Sequence, residues 1–389
     1  MHWQVATVAD ICEMRNGHGF GPEDWTTEGL PIIRIQNLNG GKNFDYFAGE
    51  ADARWLVESG QLLFAWAGTK GVSFGPTVWR GPLGVLNQHI FQVSPKEGID
   101  LDWLYWALRH VTDRIEASAH GFKATLVHVK KSDIDRQSVR VPPNAEQRRI
   151  ARILATWDRA IAAAEQLSAN SQKHQVLLAN TLLIGRRRFG LHPPWVATPL
   201  SQMIRESRAA GSGGDTARKL TVKLYGRGVV NKSEKRVGSE STRYYRRTAG
   251  QFIYSKLDFL NGAFGRVPSH LDGYESTLDL PAFDFLSDVD PRWFLYFVSR
   301  PDFYLGQLGL ANGGRKARRV NPVDLLAVCI DRPALSEQRA IADALDLANQ
   351  DCAASKRRCE ILKQEKAALM AQLLTGKRRV RMPAAGATP

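Results

Sequence analysis

Over residues 146–184 the chain contains neither Pro nor Gly. Apolar and small residues there recur at alternating spacings of four and three: Ile150, Leu154, Trp157, Ile161, Ala164, Ser168, Ser171, Gln175, Leu178 and Leu182. The same rhythm returns at Ile341, Leu345, Ala348, Cys352, Ser355, Cys359, Leu362, Lys366, Leu369 and Leu373. A 4–3 spacing is a heptad seam, one stripe along an α-helix. It predicts two helices of roughly 39 residues, each about 58 Å long at 1.5 Å per residue. Gly185 and Gly376, beside basic residues, are the expected stops. Helices this long are not satellites of a small domain. Each is expected to pack antiparallel against its own repeat, with Ile150, Leu154, Trp157, Ile161, Ile341, Leu345, Cys352 and Leu362 as packing or partner-docking positions. The seam is apolar at its ends and small or polar in its middle, which weakens a tight pairing there and leaves room for a third protein.

The stretches before each helix read differently. Residues 1–145 and 191–335 are rich in Gly and Pro and carry short strand-like runs: 31–35, 61–65 and 89–93 in the first, 220–224 and 251–254 in the second. Helical patterns intervene at 102–117 and 291–305. The expected fold class is α/β (α+β): two similar globular domains joined by two long antiparallel coiled-coil helices. The division is 1–145 for the first domain, 146–190 for the central helix, 191–335 for the second domain, 336–380 for the distal helix and 381–389 for a tail.

The chain is thus written about twice, with a period of about 191 residues. Trp3 and Val5-Ala-Thr7 recur as Trp195 and Val196-Ala-Thr198, Trp103-Leu-Tyr-Trp106 as Trp293-Phe-Leu-Tyr296, and Glu146-Gln-Arg148 as Glu337-Gln-Arg339. Leu182-Leu-Ile-Gly-Arg-Arg-Arg188 returns as Leu373-Leu-Thr-Gly-Lys-Arg-Arg379. The order is kept throughout, so the copies are equivalent modules with a pseudo-two-fold relation.

Composition adds a partner class. Net charge is +14, which favours a polyanion. The charge is uneven: −2 over 1–145, +5 over 146–190, +7 over 191–335 and +4 over 336–389. Any nucleic-acid contact by the first domain therefore needs a local patch. No run of about 18 uncharged apolar residues exists, and the N-terminus lacks the layout of a signal peptide, so a cytoplasmic protein with no membrane partner is expected. Cys12, Cys329, Cys352 and Cys359 form no C-x-x-C pair, in keeping with a reducing compartment.

The sequence resembles the specificity subunits of type I restriction-modification systems. The residues that carry the resemblance are Phe64-Ala-Trp-Ala-Gly-Thr-Lys-Gly71, Gly84-Val-Leu-Asn-Gln-His-Ile-Phe-Gln-Val93, Ala119-His-Gly-Phe-Lys123 and Val127-His-Val-Lys-Lys131. Pro142-x3-Glu146-Gln-Arg148, Glu337-Gln-Arg339 and Leu373-Leu-Thr-Gly-Lys-Arg378 complete it, over nearly the whole chain. Asn87-Gln-His89 has no counterpart near Thr277-Leu-Asp279, as expected of domains that read different half-sites. The resemblance implies that each domain reads one half of an asymmetric bipartite site on double-stranded DNA, and that the helices fix the gap. It also implies two modification (methyltransferase) subunits docked on the helices, which use S-adenosylmethionine to methylate adenine, and motor-nuclease subunits in the full complex. No cofactor is expected on this chain itself. The alternative is a helical scaffold that assembles a complex without reading sequence.

A base reader needs phosphate clamps and side chains with paired donors and acceptors. The first domain offers Arg34, Gln36 and Asn37 at a strand end, Lys70 in a Gly-Thr-Lys-Gly turn, the amides Asn87 and Gln88, and His120, Lys123 and Lys130. Each also has a plain reading as a turn, cap or solvated charge. The second domain offers Lys223, Arg227, Lys232 and Arg246 within a basic stretch that includes Lys235, Arg236, Arg243, Arg247 and the aromatics Tyr244 and Tyr245. Lys256, Arg266, Arg315, Lys316 and Arg318 extend it. No catalytic constellation is legible. Asn321-Pro-Val-Asp324 departs from an adenine-methyltransferase motif at its third position, no P-loop occurs, and the histidines lack ligand spacing. A chain without an active site or metal is expected.

Overall fold

The structure is a computed structural model, which describes residues 3–118, 126–190, 193–233, 238–312 and 318–381. Two compact units emerge, one of residues 1–166 with 357–389, the other of 167–356. They cut across the division drawn from the sequence, because each long helix gives one half to each unit.

In the first unit, strands Cys12–Asn16, Ile90–Pro95, Leu62–Ala65 and Gly75–Val78 form an antiparallel sheet in that order. A second sheet runs Tyr46–Phe47, Leu30–Ile33, Gly84–Leu86, Leu56–Val57, with Ile32 and Val85 paired in parallel. The apolar run at 62–65 is buried on both faces, which explains why it shows no alternation. Helix Leu101–Ser118 packs Trp103, Leu104, Leu108 and Val111 on the first sheet, in one core with Ile150, Leu154, Leu373 and Leu374 of the long helices.

The second unit repeats the strand order with Ile204–Ser207, Ala282–Phe285, Phe252–Tyr254 and Phe264–Arg266. Its core joins Trp293, Phe294 and Phe252 to Leu182, Leu183, Ile341 and Leu345. The helix expected over 291–305 is broken into Pro291–Val298 and Pro301–Gly306. Pro301 has no N–H to continue the first helix but suits the first turn of the second. The strand expected over 31–35 stops at Ile33, and a helical turn Ile35–Leu38 follows.

The long helices run Asn144–Leu182 and Leu335–Leu374. No seam position is fully exposed, and Ile150, Leu154, Leu182, Ile341, Leu345, Cys352, Cys359 and Leu373 are buried. Within the first unit the helices pair antiparallel through Lys366–Asp158 and Lys363–Glu165; within the second Gln175 Nε2 donates to Asn349 Oδ1 at 2.7 Å. Two polar seam positions, Gln175 and Lys366, are thus paired across the helices. Asn349 Nδ2 donates to Tyr296 Oη at 2.7 Å, and that hydroxyl donates to Asp346 at 2.6 Å. Gly185 and Gly376 have φ of 70° and 71°, the left-handed backbone that ends each helix. Among the described residues no helix is long and apolar enough to cross a membrane.

Candidate nucleic-acid interface

A latch made twice from the same residues mounts each globule on the helices. Gln147 Nε2 donates to the carbonyls of Pro142 and Gly98, and its Oε1 accepts the Asp100 N–H at 2.8 Å. Gln338 does the same with Pro333, Asp288 and Asp290. Beside it, Glu146 accepts Trp3 Nε1 at 3.1 Å and is paired with Arg379, whose guanidinium lies over the Trp3 ring. Glu337 accepts Trp195 Nε1 at 3.0 Å and Arg188 at 2.7 and 2.9 Å. Hydrogen bonds to these carboxylates raise the pKa of both arginines. The four Glu and Gln side chains are buried. Buried polar groups are costly unless paired, so the Glu-Gln repeat is a structural joint.

At one end of the first domain's main sheet lies an aromatic and imidazole cluster. Gly17 permits it: a Cβ there would stand 2.3 Å from the carbonyl oxygens of Leu86 and Asn87. The close approach pairs His18 with Asn87 and stacks His18 on Trp55 at 4.0 Å. Trp66 Nε1 donates to Asn16 Oδ1 and to the Gln88 carbonyl, and its ring meets His89 and His128. Asn16, His18, Gln88 and His128 are exposed. Donors and acceptors therefore project from a rigid sheet end, which is what base-edge reading requires. Sequence reasoning missed Asn16, His18, Trp66, His89 and His128, which come from four separate segments; the exposed-side Trp66 was the available signal.

Several expected contacts are spent inside the protein. Asn37 is buried; its amide donates to the carbonyls of Gly41 and Asn43 and accepts the Arg34 N–H. It shapes the 34–43 loop and offers nothing to a base. Arg34 pairs with Asp45 and covers the Trp25 ring at 4.4 Å, which makes it a loop brace. Lys70 Nζ donates to the Glu116 carbonyl at 2.7 Å, near the end of helix Leu101–Ser118, while Gly71 N–H reaches the Glu116 carboxylate. That turn is tied to a helix terminus, where a cation is favoured, in place of a phosphate. Asn87 is buried, so of the amide pair Gln88 is the exposed one. Gln36 and Lys130 are exposed. His120, Lys123, Arg315 and Lys316, with Lys235 and Arg236 of the basic stretch, lie outside the described residues.

In the second domain Lys223, Arg227, Lys232, Arg246, Arg266 and Arg318 are exposed and Lys256 is half-buried. Arg247 departs from the cluster. It is fully buried, bonded to Ser276 Oγ and the Ser207 and Leu280 carbonyls, and desolvation pulls its pKa down to about 10. On the central helix an open concavity of about 530 Å³ is lined by Arg148, Arg149, Arg152 and Trp157. Among the described residues no cluster of His, Cys, Asp or Glu could hold a metal ion.

Comparison with known proteins agrees with this architecture. Residues 1–170 match the family described as type I restriction modification DNA specificity domain. The type I restriction enzyme EcoBI specificity subunit of Escherichia coli is 24% identical over 157 residues, 40% of this chain and 32% of that protein. The aligned region thus spans about a third of that relative's length. Solved structures share the fold across the whole chain. The type I system S subunit from M. genitalium has a TM-score of 0.52 at 15% identity, covering 96% of both chains. The HsdS subunit from Thermoanaerobacter tengcongensis has a TM-score of 0.56 at 18% identity, covering 97% of both. A third, from work on the assembly and conformational transition of the type I system, has a TM-score of 0.59 at 17% identity, covering 97% of this chain and 98% of that one. Residues 1–170 thus match the type I restriction modification DNA specificity domain, and the chain as a whole shares the fold of solved type I system S subunits.

Proposed function

We propose that this chain is the DNA-reading subunit of a type I restriction-modification complex, each domain reading one half of an asymmetric bipartite site. One observation carries the reading: the same sheet order and the same Trp-Glu-Arg latch occur twice, while the exposed side chains differ between the copies. Equal mounts with unlike surfaces suit two half-sites of different sequence. In the first domain the reading surface is the sheet end with Asn16, His18, Gln88 and His128. In the second it is the basic surface with Lys223, Arg227, Arg246 and Arg266.

The paired helices set the gap between half-sites and dock two modification subunits. Exposed Leu167, Val176, Leu177, Leu347 and Ile361 on their outer faces supply apolar surface for that docking. The modification subunits bring S-adenosylmethionine, and motor-nuclease subunits join the same complex. The test is the methylome of a host that expresses this chain with its modification partner. A newly methylated bipartite motif is the expected result. Its absence, with equal affinity for all duplexes in competition binding, would assign the chain to the scaffold role instead.

A further inference from the structure

Strands Leu220–Val222 and Val229–Asn231 form a hairpin whose tip, 223–228, is closed by a Lys223 N–H to Gly228 carbonyl bond of 2.9 Å. At its apex Tyr225 has φ of 58°, the single positive value outside glycine among the described residues. Left-handed backbone is unfavourable for a bulky side chain, and glycine is the usual occupant. The side chain does not offset that strain by burial, since Tyr225 is 69% exposed.

The backbone beneath the ring is fixed. Tyr225 N–H donates to the Asn261 carbonyl at 2.9 Å and Gly226 N–H to the Gly262 carbonyl at 2.8 Å. Gly262 is itself left-handed, and a Cβ there would lie 3.3 Å from Tyr225 Cα. The tip is therefore clamped with an aromatic ring presented to solvent. The hairpin itself is cationic. Residues 219–233 contain no acid, and Lys223 and Arg227 flank the ring two positions away on either side. Arg266 is exposed on the strand whose Gly265 abuts Gly228.

The clamp sets the left-handed turn, but glycine would serve it without strain, so an exposed aromatic ring kept there marks a position held for contact with a partner. An aromatic ring between two cations is the arrangement that stacks on bases while the cations meet phosphates. We infer that Tyr225 contacts a base in the half-site read by the second domain, its ring packed against the base and Lys223 and Arg227 on flanking phosphates. This rests on the DNA-reading proposal above and adds a residue to it.

The experiment uses the full chain with its modification partner and a duplex carrying the methylated motif, with a scrambled duplex as reference. Tyr225→Gly relieves the backbone strain, so its unfolding midpoint should equal or exceed that of the parent. Its affinity for the motif should nevertheless fall about tenfold or more, with the salt dependence unchanged. Tyr225→Phe, which keeps the ring, should bind within about threefold of the parent. Arg227→Ala should instead flatten the salt dependence by roughly one unit of slope. Parent-like affinity of a folded Tyr225→Gly, where the parent complex still prefers its motif, overturns this inference alone. A parent complex with no preference for motif over scrambled duplex overturns the DNA-reading proposal and this inference with it.

Discussion

Arg379 and Glu146, 233 residues apart, share an ion pair beside the Trp3 ring. The arginine that follows the distal helix thereby completes the first domain, and Arg188, after the central helix, completes the second through Glu337. Each globule is closed by the end of the other copy's helix.

Arg379→Ala should loosen the first domain selectively. The strand pair Gln4–Thr7 with Ser138–Val141 should exchange its amide hydrogens faster, and Val196–Pro199 with Cys329–Arg332 should not. Arg188→Ala should give the reverse pattern. Hydrogen-exchange mass spectrometry reads both, and equal effects on the two pairs would refute the latch.

Gln147→Ala removes three hydrogen bonds from a side chain 1% exposed. It strands the Asp100 N–H and the Pro142 carbonyl, while the Gly98 carbonyl keeps Asn144 Nδ2, and costs about 1–3 kcal/mol. Denaturant unfolding should show a lower midpoint at an unchanged slope, their product falling by that amount.

Cys12 is buried, and desolvation pushes its thiol up to about 12 from 9. Between those values the folded chain keeps a proton that the unfolded chain releases. Stability is thus unaffected by this group below about pH 9 and falls as pH rises through the window. Cys12→Ala should reduce the loss of stability between pH 8 and 10, measured by urea unfolding. In the native parent at pH 8, iodoacetamide should modify exposed Cys329 well before Cys12.

Excising 167–173 together with 351–357 removes one heptad from each long helix between the Glu165–Lys363 and Gln175–Asn349 pairs. The seam stays in register, and about 10 Å of helix is lost. The methylated motif should keep its half-sites and lose about three base pairs of gap. An unchanged gap would refute the ruler role.

Gln88→Ala should relax selectivity at one base position of one half-site, by roughly 1–3 kcal/mol of discrimination. Lys130→Ala should weaken binding to all sequences alike and flatten the salt dependence by about one unit. Competition binding across motif variants and salt concentrations separates the two effects.

The long helices were legible because a heptad rhythm is a local property, carried by residues such as Ile150, Leu154, Ile341 and Leu345 within a few turns of each other. Gly185 and Gly376 marked the ends for an equally local reason, the left-handed backbone. The duplication was legible because paired motifs kept their order. Those features established the class of fold from sequence alone, and the resemblance they supported agrees with the specificity-domain match over residues 1–170.

The identity of the surface residues was decided by tertiary structure. Asn37, Lys70 and Arg247 have side chains suited to DNA, yet the fold spends their donors on Gly41, Glu116 and Ser276. Asn16, His18, Trp66 and His128 gain meaning only when strands from separate segments end side by side. Tyr225 looks ordinary in sequence, and its left-handed φ is imposed by the backbone clamp at Asn261 and Gly262. Sequence specifies which elements form, because propensity and period act over a few residues. Which polar groups remain free for a partner depends on what long-range packing has already consumed.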